Sequence, residues 1–453
     1  MNNNLIDIVR NAMLKKILAG YFHTPLVARV LLAFALGAVL GVWASYMPET
    51  STAQINAIVK PFGDVLISLL KMVVFPIVFF SLVLGAASLP LKKSGKLGVS
   101  VLAWYFATSV FATLFGVVLA MAFNPQMDAF AETAGKFQSE IEQFRSTSGG
   151  STGFGTFFTS LFTNPFQSLA EGHFLGIVVF SVIVGLAARF LLDSAKTPKE
   201  EQDSISVMLK VAQGCQAVSF KIIDWVMEYF PIGILALSYT NFSASGVDLF
   251  GPYLRIIACV VCGTLAMIFV IYPLAILIFC RENPYRVLAK MRLPILTAFT
   301  TRSSAATLSV SMKTAQKIGV SPSLSSFSLP LGCTVNMDGV CVHLPVFVIL
   351  GSNLFNVPLT TTGLVALLVS VVFASIGAGG VPGGSVFLLF MILENAGFTP
   401  PQIGAIVGLA LGVNPILDMF ETACNVTGDN ICTYIVAKLH KMLSPGGQET
   451  DPS

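Results

Sequence analysis

The sequence predicts an all-α polytopic membrane protein. Three observations carry this: 55% of its 453 residues are hydrophobic, only 11% are charged, and apolar stretches recur at spanning length. A soluble domain carries about 25% charged residues. The net charge of +3 gives no reason to expect a nucleic-acid partner.

Residues 1–24, "MNNNLIDIVRNAMLKKILAGYF" and its flank, are amphipathic and basic, with no signal-peptide cleavage pattern. They predict a helix lying along the cytoplasmic membrane surface. Simple spans are predicted near 25–46, 57–89, 97–123, 169–192, 206–239 and 253–280. The segment 124–165 is polar and rich in Gly and Ser, and predicts a mobile extracytoplasmic loop. Lys and Arg cluster in "LKKSGK" (91–96), "RFLLDSAKTPKEEQ" (189–202), "CRENPYRVLAKMR" (280–292) and "AKLHK" (437–441). The positive-inside rule then places both termini, including the 441–453 tail, in the cytoplasm.

Eight cysteines fall mostly inside apolar segments. Cys259 and Cys262 have C-x-x-C spacing, but their flanks "RIIACVVCGTLAMIF" read as a membrane helix, so packing is the expected role. The four histidines share no metal-site spacing.

After residue 282 the pattern changes. "ILTAFTTRSSAATLSVSMKTA" (295–315) and "VFASIGAGGVPGGSVFLLFMIL" (372–393) have small-residue centres. Each predicts a helix that enters, turns and returns. Between them, "GCTVNMDGVCVHLPVFVIL" (332–350) predicts a helix broken around Asn336 and Asp338. The last span, about 402–437, carries three acids in "NPILDMFETACNVTGDN". Buried Asp and Asn can simply join helices. Here Arg302, Asn336, Asp338, Asp418, Glu421, Asn425 and Asp429 crowd one part of the chain, which favours a solute pathway.

The motifs "NMDG", "TRSSAAT", "IGAGGVPGGS" and "DMFETACNVTGD" resemble those of the dicarboxylate/amino acid:cation symporters, the glutamate-transporter fold. The order of elements agrees from about residue 25 to 440, with "LLKMVVFPIVFFSLVLGAAS" and "YFPIGILALS" in earlier spans. The resemblance implies eight transmembrane helices plus two re-entrant helical hairpins, about 284–318 and 358–398. It implies a trimerisation scaffold of 25–96 and 169–239, and a transport domain of 97–123 and 253–440 that slides as an elevator. It further implies a homotrimer in a lipid bilayer, a bacterial inner (plasma) membrane being the expected place.

Sodium is the implied coupling ion. The resemblance gives one site to Asp429, Asn336 and the carbonyls of Gly332 and Asn425. A second falls to carbonyls of Ser375, Ile376 and Ala378 with Thr334 and Met337. A third takes Asp338, Asn336, Tyr105, Thr108 and Ser109. Breaking a helix at Asn336 frees carbonyls, and hard cations take several oxygen ligands.

For the substrate, the resemblance gives Asp418 the α-ammonium of an amino acid. Asn425, Ser304 and main-chain amides near Ser303 and Val381 take its carboxylate. Ser385 and Thr422 complete the implied pocket. Glutamate and aspartate carriers of the family have an Arg where this chain has Glu421, and a Thr where it has Val340. Serine/threonine carriers of the family also place an acid at the Glu421 position. The expected cargo is therefore a small neutral amino acid: serine, threonine or alanine. A carrier of acidic amino acids or C4-dicarboxylates is the alternative. Three roles stay open for Glu421: accepting a substrate hydroxyl, pairing with Arg302, or facing a cationic side chain. A channel on this fold would need polar second and fifth spans, and these are nearly all apolar. An enzyme is not expected. Ser303 or Ser304 with His343 and Asp418 could be imagined as a triad, but the resemblance places His343 outside the pocket.

Overall fold

The computed structural model describes residues 24–87, 95–123, 162, 164–171, 174–355, 357–376 and 383–444. The amphipathic segment 1–23, most of the 124–165 loop, the second hairpin's tip at 377–382 and the tail from 445 lie outside the described residues.

The first helices are α1 (Leu26–Ser45), α2 (Glu49–Ala87), α3 (Gly95–Phe123), α4 (Pro165–Glu171), α5 (Phe174–Asp193) and α6 (Lys199–Ser245). After a short 3₁₀ turn come α7 (Phe250–Ala266), a π-helical turn at Met267–Ile271 and α8 (Tyr272–Cys280). Then follow α9 (Pro284–Lys290), α10 (Arg292–Thr301), α11 (Ser304–Lys317), α12 (Pro322–Val335) and α13 (Asp338–Phe355). The last are α14 (Thr361–Ser375), α15 (Gly384–Asn395) and α16 (Pro400–Leu439). The described residues are nearly all helical, apart from one isolated antiparallel bridge between Val320 and Leu443.

Local chemistry sets many of these boundaries. Glu200 and Glu201 occupy the first turn of α6, where acids complement the helix dipole. Asn283 caps α9, accepting from the amides of Tyr285 and Arg286. Thr399 and Gln402 form a reciprocal capping box at α16, with Pro400 in its first turn. The predicted break is present: α12 stops at Val335, Asn336 takes φ −104° and ψ 81°, and α13 restarts at Asp338. The acid at that restart again suits a helix N-terminus.

The structure extends the second predicted span back to Glu49 and divides the sixth at the π turn. Six helical runs among the described residues have the length and apolarity to cross a membrane: 28–45, 49–70, 96–123, 199–280, 322–355 and 402–439. In the first predicted re-entrant segment α10 and α11 are separated at Arg302 and Ser303, in the second α14 and α15 flank residues outside the described ones, and the pairs α10/α11 and α14/α15 touch.

Two packing regions are evident. In one, α6 lies against α1 and α2, and α2 against α5. The backbones approach closely there: a Cβ on Gly41 would sit 2.6 Å from the carbonyl oxygen of Tyr239. In the other, α13 lies against α3 and α16, and α16 also contacts α10, α7, α12 and α15. Glu282, between α8 and α9, fastens to α16 through Lys438 and through the Tyr434 hydroxyl at 2.6 Å. All eight cysteines are free thiols; Cys259 is buried, as a packing residue would be, whereas Cys262 is exposed.

Candidate functional site

The helix break and the middle of α16 face each other, and a polar cluster fills the contact. Asn336 donates from Nδ2 to Asp429 Oδ1 at 3.1 Å and accepts from Thr108 Oγ1 at 3.0 Å. Asp338 accepts from Ser109 at 3.3 Å and from the Tyr272 hydroxyl at 2.7 Å. Tyr105 donates to the Ser328 carbonyl at 2.8 Å, and Ser328 Oγ meets Thr433 Oγ1 at 2.7 Å. Asn336, Asp338 and Asp429 are all buried. Among the described residues, no basic side chain forms an ion pair with either Asp338 or Asp429.

Two glycines keep this cluster open. A Cβ on Gly332 would lie 2.6 Å from Asp429 Oδ1 and 2.7 Å from the Tyr105 hydroxyl. A Cβ on Gly428 would lie 2.5 Å from the Tyr272 hydroxyl and 3.0 Å from both Asp338 Oδ2 and Asn336 Nδ2. Carboxylate, amide and hydroxyl oxygens without a basic partner are the donor chemistry a hard cation requires. Bare buried carboxylates would otherwise be costly.

The residues of the first and third expected ion sets thus come together. Asn425 lies one turn before Asp429, and its Oδ1 accepts from the Gly339 amide at 2.7 Å. The second set is only partly in view. Thr334 and Ser375 hydroxyls donate within their own helices, to Leu331 and Val372, Met337 is buried, and Ile376 closes α14. Ala378 lies outside the described residues.

A second polar cluster surrounds Asp418, about three turns before Asp429 on α16. Arg302 Nη1 is 3.5 Å from Asp418 Oδ2, and the Gly383 amide donates to the same oxygen at 3.1 Å. These contacts bring the N-termini of α11 and α15 to one point. Arg302 ends α10 in the left-handed region, at φ 54°. An L-residue there costs about 1–2 kcal/mol, and such strain gathers at functional sites. Ser303 caps α11, accepting from the Ala306 amide at 3.2 Å. Ser304 Oγ, Ser385 Oγ and Asn414 Oδ1 are buried without a hydrogen-bond partner among the described residues. Thr422 and Val340 are also buried, and Val381 lies outside the described residues. Arg302 also lines a cavity of about 300 Å³ with Asp224 and Glu228 of α6.

The structure gives Glu421 a partner that the sequence did not suggest. His343, expected outside the pocket, has its Nδ1 2.5 Å from Glu421 Oε2. Glu421 therefore pairs with His343, while Arg302 pairs with Asp418. The reason is helix rotation: α13 turns His343 toward α16, and Gly339 lets the backbones close until a Cβ there would meet the Glu421 carbonyl oxygen at 2.4 Å.

Sequence reasoning also missed Tyr272, Ser328 and Thr433. The one available signal was that a buried carboxylate needs partners, and a Tyr in the sixth span, or a His one helix away, could supply them.

With this geometry in view, comparison with known proteins gives a consistent result. The model of the sodium:dicarboxylate symporter family matches residues 26–439. The serine/threonine transporter SstT of Bifidobacterium adolescentis is 29% identical over 433 residues, covering 94% of this chain and 93% of the relative. The neutral amino acid transporter B(0) of Bos taurus is 31% identical, covering 93% of this chain and 80% of the relative. A proton/glutamate-aspartate symporter of Bacillus subtilis is 29% identical, covering 91% and 94%.

Proposed function

The chain belongs to the sodium:dicarboxylate symporter family, and from that premise we propose that it imports a small neutral amino acid, such as serine, threonine or alanine, driven by sodium. It is a membrane transporter and not an enzyme. The single observation that carries the substrate reading is the pairing of Glu421 with His343. The side-chain end of the pocket then offers no unpaired cation to a second carboxylate.

Other features support binding of a zwitterion. The α11 and α15 N-termini meet at Asp418, and helix N-termini favour a carboxylate. Ser304 Oγ, Ser385 Oγ and Asn414 Oδ1 are unsatisfied there. Asp418 suits an ammonium, as a charge-assisted hydrogen bond is stronger than a neutral one. Asp338, Asp429, Asn336, Thr108, Ser109 and Tyr105 would hold sodium as co-transported cargo. Eight spans, two re-entrant hairpins, a scaffold of 25–96 and 169–239, a moving domain of 97–123 and 253–440, and a homotrimer with cytoplasmic termini complete the proposal. So does an elevator-type mechanism in a bacterial inner membrane.

A second reading, transport of acidic amino acids or C4-dicarboxylates, draws on one observation. Arg302 is a buried cation at the pocket, and rotation away from Asp418 would let it meet a side-chain carboxylate. The deciding experiment is the current from proteoliposomes under a sodium gradient, on addition of serine, alanine, aspartate and succinate in turn. Sodium-dependent inward current with serine or alanine is expected. Current with aspartate or succinate alone would sink the neutral reading and return the role to Arg302.

A further inference from the structure

We propose that the crevice between α2, α6 and α12 is a binding site for an uncharged ligand that joins an apolar ring to a carboxamide-like group, and that an occupant there restrains one packing region against the other. None of the residues assigned to the amino acid takes part. The crevice has a volume of about 550 Å³. That is the size of small-molecule sites, which favour the junctions between packed units. Helices α2 and α6 belong to one packing region and α12 to the other, so the walls come from both.

Each wall is one face of its helix. Ser81 and Leu84 of α2, and Gln213 and Gln216 of α6, stand at helical spacing. Gln216 Nε2 donates to Ser81 Oγ at 3.0 Å, which ties α6 to α2 and fixes that wall. On α12 the lining runs from Ser326 to Thr334, and Phe327, Pro330 and Leu331 give it an apolar surface. Pro330 lies inside α12 and has no N–H to offer the Ser326 carbonyl. The helix therefore leaves an acceptor at the crevice, on the wall that faces the two glutamine side chains.

The lining selects the ligand. It contains carboxamides and hydroxyls but no charged side chain. A charged ligand would leave water and gain no counter-charge. A wholly apolar one would cover the amides and the Ser326 carbonyl without satisfying them. A carboxamide brings both a donor and an acceptor, and a ring beside it covers Phe327 and Pro330. The crevice ends at Thr334, two residues before Asn336. An occupant thus touches α2 and α6 on one side and, on the other, the helix that leads into the break. Its effect on uptake rests on the proposed elevator movement; its binding does not.

The test uses naphthamide, naphthoate and naphthamidinium, which share size and shape and differ in charge. Two readouts are taken: the unfolding midpoint of the solubilised protein, and sodium-driven uptake by proteoliposomes of whichever amino acid the wild type carries best. Naphthamide at about millimolar concentration should raise the midpoint and lower Vmax at constant KM, and the two ions should do neither. The double variant Gln213→Leu/Gln216→Leu should take up the amino acid as wild type does and need about tenfold more naphthamide for the same shift. Ser326→Trp, at an exposed position, should fill the crevice and abolish the shift; it decides should the double variant fail to fold. No shift with naphthamide, an equal shift with either ion, or a shift undiminished in the variants would overturn the site. A rise in KM alone would overturn it too, by moving the probe to the substrate pocket. A shift lost in the variants with uptake unaffected would keep the site and overturn its restraint on movement. A wild type that carries aspartate would sink the neutral-substrate reading and leave this inference standing.

Discussion

Helices α1 and α2 keep most of their surface outward, whereas α13 and α16 have little outward surface. In the apolar 18-residue window of the run 49–70, 17% of residues are buried; in that of the run 322–355 the share is 89%. The outward group meets α6 through apolar side chains and close glycine contacts. Its main ion pair, Arg29 with Glu228 at 2.8 Å, leaves the Glu228 side chain half exposed. The inward group holds Asn336, Asp338, His343, Asp418, Glu421, Asn425 and Asp429. The comparison teaches where a membrane protein can keep polar groups. A carboxylate is tolerated at depth only when protein surrounds it and supplies its partners. A helix enclosed on all sides is the one place where that supply is complete.

The sharpest way to break this contrast is to fill the polar cluster without changing its charge. In Gly428→Ala, the new methyl would press on the Tyr272 hydroxyl and Asp338. Sodium-driven uptake should fall about a hundredfold, the scale of a 1 Å misplacement in a preorganised site. Uptake that survives would show that Asp338 and Asn336 do not hold the cation.

Next comes Tyr272→Phe, which strips a 2.7 Å hydrogen bond from buried Asp338. A bond to a charged group contributes about 1.5–3 kcal/mol, so resistance of the solubilised protein to heat should drop measurably. An unchanged unfolding curve would mean that Asp338 is neutral or otherwise satisfied.

In the outward group, Gly41→Leu forces α1 from α6. Overpacking of this kind costs about 1–3 kcal/mol. The variant should lose stability by that amount while its serine-to-aspartate ratio stays that of wild type. A shifted ratio would show that the two regions are coupled.

The smallest effect belongs to Glu282. It lies between helices, and hydrogen bonds from the Lys438 ammonium and the Tyr434 hydroxyl hold its carboxyl below the usual range. A depressed carboxylate stabilises the fold fully above its unfolded pKa, and that contribution disappears as pH falls through the folded value. The pair is partly exposed, so Glu282→Gln should cost only about 0.2–1 kcal/mol near neutral pH. The difference from wild type should vanish in acid.

Much of this architecture is legible in the chain itself. Composition and run length determine that the helices span a bilayer, because transfer of apolar side chains needs no partner. The break at Asn336 follows from polar residues and glycines interrupting an apolar run, and the turn at Arg302 from its Ser-Ser neighbours. The motif order names the family. The partners Thr108 and Ser109 of Asn336 and Asp338 were reachable only through that resemblance, since alone the residues of α3 look like ordinary helix positions.

The pairings were decided by the tertiary structure. His343 and Glu421 are 78 residues apart, and Tyr272 and Asp338 are 66 apart. Helical periodicity fixes which residues share a face of their own helix. It says nothing about which face of another helix will meet them, because that depends on rotation and crossing angle set by the packing of all the neighbours. So the sequence determined that a carboxylate stands at 421. Only the fold determined that an imidazole, and not the Arg302 guanidinium, stands against it.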